Sequence, residues 1–284
     1  SDGDALDEGE VATWFSSDAN GLSLAMPTPQ DVFEDENGAV YILNAGTGSE
    51  PADYVVKTED KNNDGDANDA GEATIWLDLG ATVGFSSSAF TIDFVDGVAY
   101  LYDTFAGSPR VWKAVDANSN GVIDSGEITQ YADFSGAPGS FFPFAVAMVE
   151  GTTDLIAYDS TGLFLFSDKD NSGDISTGEA DRLWDPVTAP SIDVGFAFDV
   201  KRTSSGDVYV TSSNSGIVQF IDKDNDGLYN SAGEVNVWVP AGANSGEFVD
   251  SPRSVEVLKD PTLSPTLSPS EAPSPAPTQA PPTH

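Results

Sequence analysis

The residues best placed to do chemistry are oxygen donors set at alternate positions in short loops. In Asp116–Glu127 they are Asp116, Asn118, Asn120 and Asp124 at positions 1, 3, 5 and 9, with Gly121 at position 6 and Glu127 at position 12. A hard cation such as Ca2+ takes about six to eight oxygens, and a tight loop converges alternate side chains on one point. The glycine permits the sharp turn, position 7 (Val122) supplies a backbone carbonyl, and the glutamate closes the shell with two oxygens. The pattern is D-x-[DN]-x-[DN]-G-x5-E.

The loop recurs. Asp168, Asp170, Ser172, Asp174, Ser176 and Glu179 repeat it at the same length. Two copies carry one extra residue before the glutamate: Asp60, Asn62, Asp64, Asp66, Asn68 and Glu72, and Asp222, Asp224, Asp226, Leu228, Asn230 and Glu234. Asp66, Asp174 and Leu228 hold the carbonyl position. A half-copy, Asp2 to Glu10, aligns with Asp64 to Glu72 and offers Asp2, Asp4 and Glu10 as a fifth half-site. Asp, Asn, Ser and Gly are common in any turn, so one match is weak. Four complete matches in register predict about four calcium sites of structural character.

Composition narrows the alternatives. The chain of 284 residues has a formal charge of −36, which argues against nucleic acid or an anionic membrane surface as partner. It has no cysteine, and its one histidine is the last residue, so disulfides, Ser-His-Asp triads, Cys-His pairs and histidine-rich zinc sites drop out. No apolar run is long enough to span a bilayer. No catalytic residue is singled out by spacing and no enzyme is expected, although a carboxylate-based glycosidase stays open. Asp93, Asp103, Asp159 and Asp199 are the weak candidates for it. Arg110, Arg182, Arg202 and Arg253 read as charge partners rather than substrate clamps.

The elements that must hold these loops are β strands. Each loop is followed by a short strand with an aromatic in a matching place: Trp14, Trp76, Tyr131, Trp184 and Trp238. Two apolar strands and a third then lead into the next loop, and all are rich in β-branched and aromatic residues and bounded by turn formers. No segment shows a helical period. The loop glutamates fall at 10, 72, 127, 179 and 234, so the repeat is about fifty residues with four strands. This predicts an all-β fold: a β-propeller of about five four-stranded blades, one apparently incomplete, with a calcium loop between the third and fourth strand of each. Complete units are expected at about 30–79, 90–134, 143–186 and 195–240. A lone fourth strand at 11–16 and a lone first strand at 253–259 share a fifth. That unit leaves three readings open: the natural chain extends before Ser1, the ring is open, or another chain completes it. A linear stack of β modules is the rival architecture. The repeated aromatic is expected between blades rather than on a ligand platform.

The loops resemble those of EF-hand and dockerin proteins, and the repeats resemble β-propellers carrying such loops. The flanks depart from the EF-hand pattern, because β-like sequence replaces amphipathic helices, so sensor behaviour is not implied.

Residues 1–260 thus read as a calcium-binding propeller domain and 261–284 as a separate tail. Prolines at 261, 265, 269, 273, 277 and 281 set a period of four, followed by Thr262, Thr266, Ser270, Ser274 and Thr278. Proline at this density favours an extended polyproline II rod, on which each four-residue step advances about 12 Å and a third of a turn. The hydroxyls spiral round the rod as O-glycosylation positions. The tail resembles the hydroxyproline-rich extracellular glycoproteins of algae. Together these features predict an extracellular or cell-surface, calcium-stabilised structural protein. It would self-assemble into a filament or coat through the tail and the incomplete blade, with glycans attached or bound. A stalk-displayed carbohydrate-binding propeller and a propeller glycoside hydrolase or lyase are the alternatives.

Overall fold

In a computed structural model the chain is described over residues 12–16, 22, 26, 28–35, 37–45, 53–83, 89–103, 109–134, 143, 145–149, 151–176, 178–188, 192–241 and 255. The described residues form four antiparallel sheets of four strands, each a simple meander. The first contains β1 (Pro29–Glu34), β2 (Val40–Asn44), β3 (Tyr54–Thr58) and β4 (Ala73–Asp78). After α1 (Leu79–Val83) come β5 (Ala89–Val95), β6 (Val98–Asp103), β7 (Arg110–Ala114) and β8 (Ile128–Asp133). The third holds β9 (Ala145–Met148), β10 (Leu155–Asp159), β11 (Gly162–Phe166) and β12 (Ala180–Trp184). The fourth holds β13 (Ala197–Arg202), β14 (Val208–Ser212), β15 (Gly216–Phe220) and β16 (Val235–Val239). The fold is a β-propeller with four complete blades among the described residues, where about five were expected. The first strand of each blade packs beside the first strand of the next, from β1 to β5, β5 to β9 and β9 to β13.

Described residues outside the four blades lie at their two ends. Trp14 lies against the first blade, donating its indole N–H to Thr58 Oγ1 at 3.1 Å, and Ser16 N–H reaches Asn68 Oδ1 at 2.7 Å. Val255 N–H donates to Asp199 on β13 at 2.9 Å. One end therefore sits before the first blade and the other after the fourth.

The apolar core lies between the blades, because an isolated four-stranded sheet leaves both faces wet. Phe33, Tyr41, Trp76 and Phe94 stack between the first two blades. Tyr102, Phe134 and Phe166 meet between the second and third, and Tyr158, Trp184, Phe220 and Tyr229 between the third and fourth. A smaller cluster of Tyr54, Val56 and Ala73 receives Phe15, Leu22 and Met26 ahead of the first blade. The repeated aromatics are seam residues at Trp76, Tyr131 and Trp184, as anticipated, but Trp238 is 55% exposed.

The short α1 was not foreseen, since five residues carry no readable period. Asp78 starts it by accepting the Ala81 N–H at 2.9 Å, and its first residue, Leu79, is buried.

Leu101 is fully buried in the seam between the first two blades. Leu101→Ala is expected to lower unfolding free energy by about 2–5 kcal/mol, read from urea melts of the two proteins in parallel.

Candidate metal centres and the central channel

All four loops adopt one backbone path. Position 4 is left-handed in each, at Asn63, Ser119, Asn171 and Asn225 with φ between 58° and 62°. Position 6 is glycine at positive φ, as in Gly121 at 85°, a region that costs a side-chain-bearing residue about 1–2 kcal/mol. The neck of each loop is closed by a backbone hydrogen bond to its glutamate: Glu59 to Glu72, Val115 to Glu127, Ser167 to Glu179 and Ile221 to Glu234.

Within this frame the carboxylates turn inward. The position-1 aspartates Asp60, Asp116, Asp168 and Asp222 each accept the N–H of the loop glycine at 2.8–3.0 Å. The closing glutamate spans the loop with two oxygens. Glu127 accepts the N–H groups of Asn118 and Asp124, and Glu179 accepts those of Lys169, Asp170 and Ser176. In the longer loops Glu72 accepts from Lys61, Asn62 and Asp69, and Glu234 from Lys223 and Ser231. The late glutamate therefore occupies the same place as the regular one. Oxygens of Asp168, Asp170 and Glu179 lie within 4.8 Å of one another, as do those of Asp222, Asp224 and Asp226. These groups can hold a metal ion.

The extra residue changes which side chain faces the others. Asn68 Oδ1 accepts from Ser16 N–H, and Asn230 Oδ1 accepts from Asp185 N–H at 3.3 Å, so both point to the preceding unit. Their successors turn into the loop instead: Asp69 accepts from Asn62 Nδ2 at 2.6 Å, and Ser231 Oγ donates to Asp224 at 2.8 Å. Counting positions from the first aspartate picks Asn68 and Asn230, whereas counting back from the glutamate finds Asp69 and Ser231. In the regular loops Asp124 and Ser176 stay inside, Asp124 accepting from Asn118 and Asn120 and Ser176 donating to Glu179.

Each loop also joins two units. Its position-8 residue is buried and donates its N–H to an outer-strand carbonyl of the preceding unit. The pairs are Ala67 to Trp14, Ile123 to Trp76, Ile175 to Tyr131 and Tyr229 to Leu183, at 2.7–2.8 Å. Every acceptor lies four residues after a loop glutamate. Trp76, Tyr131 and Leu183 each sit at a break in the pairing register of their strand. Such a bulge leaves one residue unpaired within its own sheet and re-aims it, so its carbonyl is free to face the next loop. The register shows Leu183, not Trp184, in the position equivalent to Trp76, which corrects the alignment by matching aromatics. Trp184 is the next residue and fills the seam core.

The first strands β1, β5 and β13 line a channel of about 610 Å3, with Asp31, Phe33, Phe90, Asp93, Asp199 and Lys201 among the lining residues. Its acids tie blade to blade. Asp31 accepts from Thr91 Oγ1 at 2.7 Å and Ile92 N–H at 3.0 Å, Asp93 from Met148 N–H at 2.9 Å, and Asp199 from Val255 N–H. Lys201 crosses to Asp93 at 3.2 Å. Burial raises the Asp31 carboxyl above its usual range despite the hydrogen bonds from Ile92 and Thr91, and the Asp93 charge adds to the rise. Asp31 had no sequence signal, because its partners lie some sixty residues away.

Of the four acids considered for glycoside chemistry, Asp93 and Asp199 reach the channel. Asp103 and Asp159 are buried at the ends of β6 and β10. Asp103 takes the Trp112 indole N–H at 3.2 Å, and Asp159 caps the turn at Thr161. Arg110 faces Asp103 at 4.0 Å and Arg182 pairs with Asp185 at 3.1 Å. Arg202 lies against Tyr229. Arg253, the half-site Asp2, Asp4 and Glu10, and the tail hydroxyls fall outside the described residues. No helix among those residues is long and apolar enough to cross a membrane.

No protein-family model matches the chain, and no curated protein matches it. Solved structures do. A gluconolactonase from Xanthomonas campestris shares 12% identity over 70% of this chain and 59% of its own, with a TM-score of 0.46. A calcium structure of the Trichoderma reesei carbohydrate-active enzyme family AA12 shares 10% over 78% and 56%, also at 0.46. A nidogen–laminin complex gives 12% over 68% and 59%, at 0.43. The chain spans less than two thirds of the length of each. The likeness is one of fold.

Two loop carboxylates set an acid limit. Glu179 is held below the usual carboxylate range chiefly by the Ser176 N–H, with Lys169 and Asp170 adding to it, and Asp224 chiefly by the Ser231 hydroxyl. A carboxylate lowered in the native state contributes stability above its unfolded pKa and loses it as pH falls through the native one. In chelator, urea midpoints are therefore expected to fall between about pH 5 and pH 2, and Glu179→Gln to flatten that fall.

Proposed function

We propose that the four loops bind Ca2+ and that the protein is a secreted structural propeller whose blades are braced by it. The observation that carries this reading is the double duty of each loop. The segment that gathers the carboxylates also supplies the amide that joins its blade to the preceding unit. A cation there relieves the repulsion of crowded carboxylates and stiffens a seam. The coordinating set is Asp60, Asn62, Asp64, the carbonyl of Asp66, Asp69 and Glu72 in the first loop, with Asp69 in place of Asn68. Ser231 likewise replaces Asn230 beside Asp222, Asp224, Asp226, Leu228 and Glu234. The regular loops use Asp116, Asn118, Asn120, Val122, Asp124 and Glu127, and Asp168, Asp170, Ser172, Asp174, Ser176 and Glu179.

The extracellular setting is supported by the heavy acidic excess, a formal charge of −36, which millimolar calcium would neutralise. The proline-rich tail serves as connector between copies in a filament or coat, glycosylated at Thr262, Thr266, Ser270, Ser274 and Thr278. Intact-mass and peptide mass spectrometry of the natural protein is expected to find hexose-type additions confined to 261–284, and a bare tail would sink the connector role.

Calcium is expected to raise the melting temperature, each site adding about 2.7 kcal/mol when Ca2+ exceeds its Kd roughly a hundredfold. A melting temperature indifferent to EDTA removes the proposal. Asp69→Ala is expected to weaken calcium binding by calorimetry while leaving the chelated protein's stability nearly unchanged. Asn68→Ala does the reverse, because it breaks the bond to Ser16.

One observation favours a second reading. The channel offers aromatic faces at Phe33 and Phe90 beside the carboxylates Asp31, Asp93 and Asp199, a combination suited to sugar rings and hydroxyls. A glycan-array signal abolished by Asp93→Asn would move the assignment to a carbohydrate-binding propeller, and polysaccharide turnover lost in that variant to a glycoside hydrolase or lyase.

A further inference from the structure

The channel is acidic and apolar at once. Among its described lining residues, Asp31, Glu34, Asp93 and Asp199 stand against a single cationic side chain, Lys201. Its apolar wall is open rather than packed: Val32 is 62% and Phe90 44% exposed, and both line this same concavity. Phe33 extends the wall and is held in place by stacking on Phe94, with ring centroids 4.6 Å apart. A volume of about 610 Å3 is that of a small-molecule site.

We propose that this channel binds a small organic cation, an ammonium group on an apolar body, with Asp31 and Asp93 facing the charge and Phe90 and Val32 the body. The channel already holds one ammonium. Lys201 Nζ lies 3.2 Å from Asp93 Oδ1, crossing from the fourth blade to the second. A ligand amine repeats that contact at the neighbouring carboxylate. The charges of Asp31 and Asp93 repel each other, burial adds to the cost of the Asp31 charge, and a cation beside them relieves both. A bare metal ion fits less well. It takes about six or more oxygens converging on one point. Among the described residues, the acids whose oxygens gather within 4.8 Å of one another belong to two of the loops, not to the channel. In the channel one oxygen of each acid is committed to the main chain, Asp31 Oδ2 to the Ile92 N–H and Asp93 Oδ2 to the Met148 N–H. Acids spaced along an apolar wall match a cation whose charge sits on a bulky body, and an aromatic face attracts such a cation in its own right. The inference stands apart from the calcium loops and gives the channel a different occupant from a neutral saccharide.

The test is a titration of the full-length, calcium-saturated protein with phenethylammonium, followed by ligand-observed NMR, beside its neutral counterpart phenethyl alcohol. Saturating calcium holds metal binding constant throughout, so the result does not depend on the loops. The ammonium is expected to bind saturably and the alcohol at least about tenfold more weakly, the worth of a charge-assisted hydrogen bond. Phe90→Ala is expected to weaken the ammonium about fivefold through the lost aromatic face, and to leave the melting temperature in place because Phe90 is exposed. Asp31→Asn is expected to abolish saturation. Since Asp31 also ties β1 to β5, circular dichroism and melting of that variant check its fold, and Phe90→Ala carries the test if it fails. Lys201→Met is expected to tighten the ammonium, because it removes the competing amine from Asp93, whereas a saccharide site would lose a donor. No saturable binding, equal affinity for the alcohol, or weaker ammonium binding in Lys201→Met would overturn the proposal. So would an affinity unmoved by both Phe90→Ala and Asp31→Asn, which marks a cation that follows only the net charge of the chain.

Discussion

The structure depends on closing the seams between neighbouring sheets. A meander of four short strands satisfies its own backbone within the sheet, yet its two faces stay apolar until another sheet covers them. Every large buried cluster among the described residues spans two blades, and the small one at the outer face of the first blade is built partly from residues ahead of it. The repeats are quasi-one-dimensional, each stabilised by its neighbours rather than by a common centre. A propeller of this kind stands or falls by how each seam is fixed in register.

Two devices fix it, one at each radius. Near the axis, Asp31 and Asp93 reach across to a main-chain amide of the adjoining first strand, and Asp199 to that of Val255. At the rim, a bulged carbonyl meets the loop of the following unit. Among the described residues the third blade contributes no acid of this type to the channel, and Lys201 of the fourth blade reaches back to Asp93 of the second. Hydrogen bonds of this sort contribute about 0.5–1.5 kcal/mol each, modest beside the apolar seams. Their importance is directional, since they select one alignment among the many that greasy faces would tolerate.

Much of this was readable from the chain. The loops, the four-strand repeat and the boundaries of the complete blades follow from alternation, turn residues and fixed spacing, all local signals. Reading failed where a one-residue insertion or bulge shifted the frame. Asn68 turns to Ser16 while Asp69 turns into the loop, and the bulge puts Leu183 rather than Trp184 in the place of Trp76; in both cases the count runs past an irregularity. The channel acids were harder still, because the partner of Asp31 is the backbone of Ile92, and main-chain amides leave no mark on sequence. The five-residue α1 was invisible for want of length.

The insertion that misled the count has a use of its own. Two loops of unequal length present the same glutamate to the same amides, so the stretch between the joining residue and the glutamate absorbs added length without disturbing either anchor. It lies at the rim, and in two blades it already differs by one residue. That makes it a natural graft point: the place where this scaffold can diversify from repeat to repeat, or accept a foreign epitope, while the ring beneath keeps its geometry.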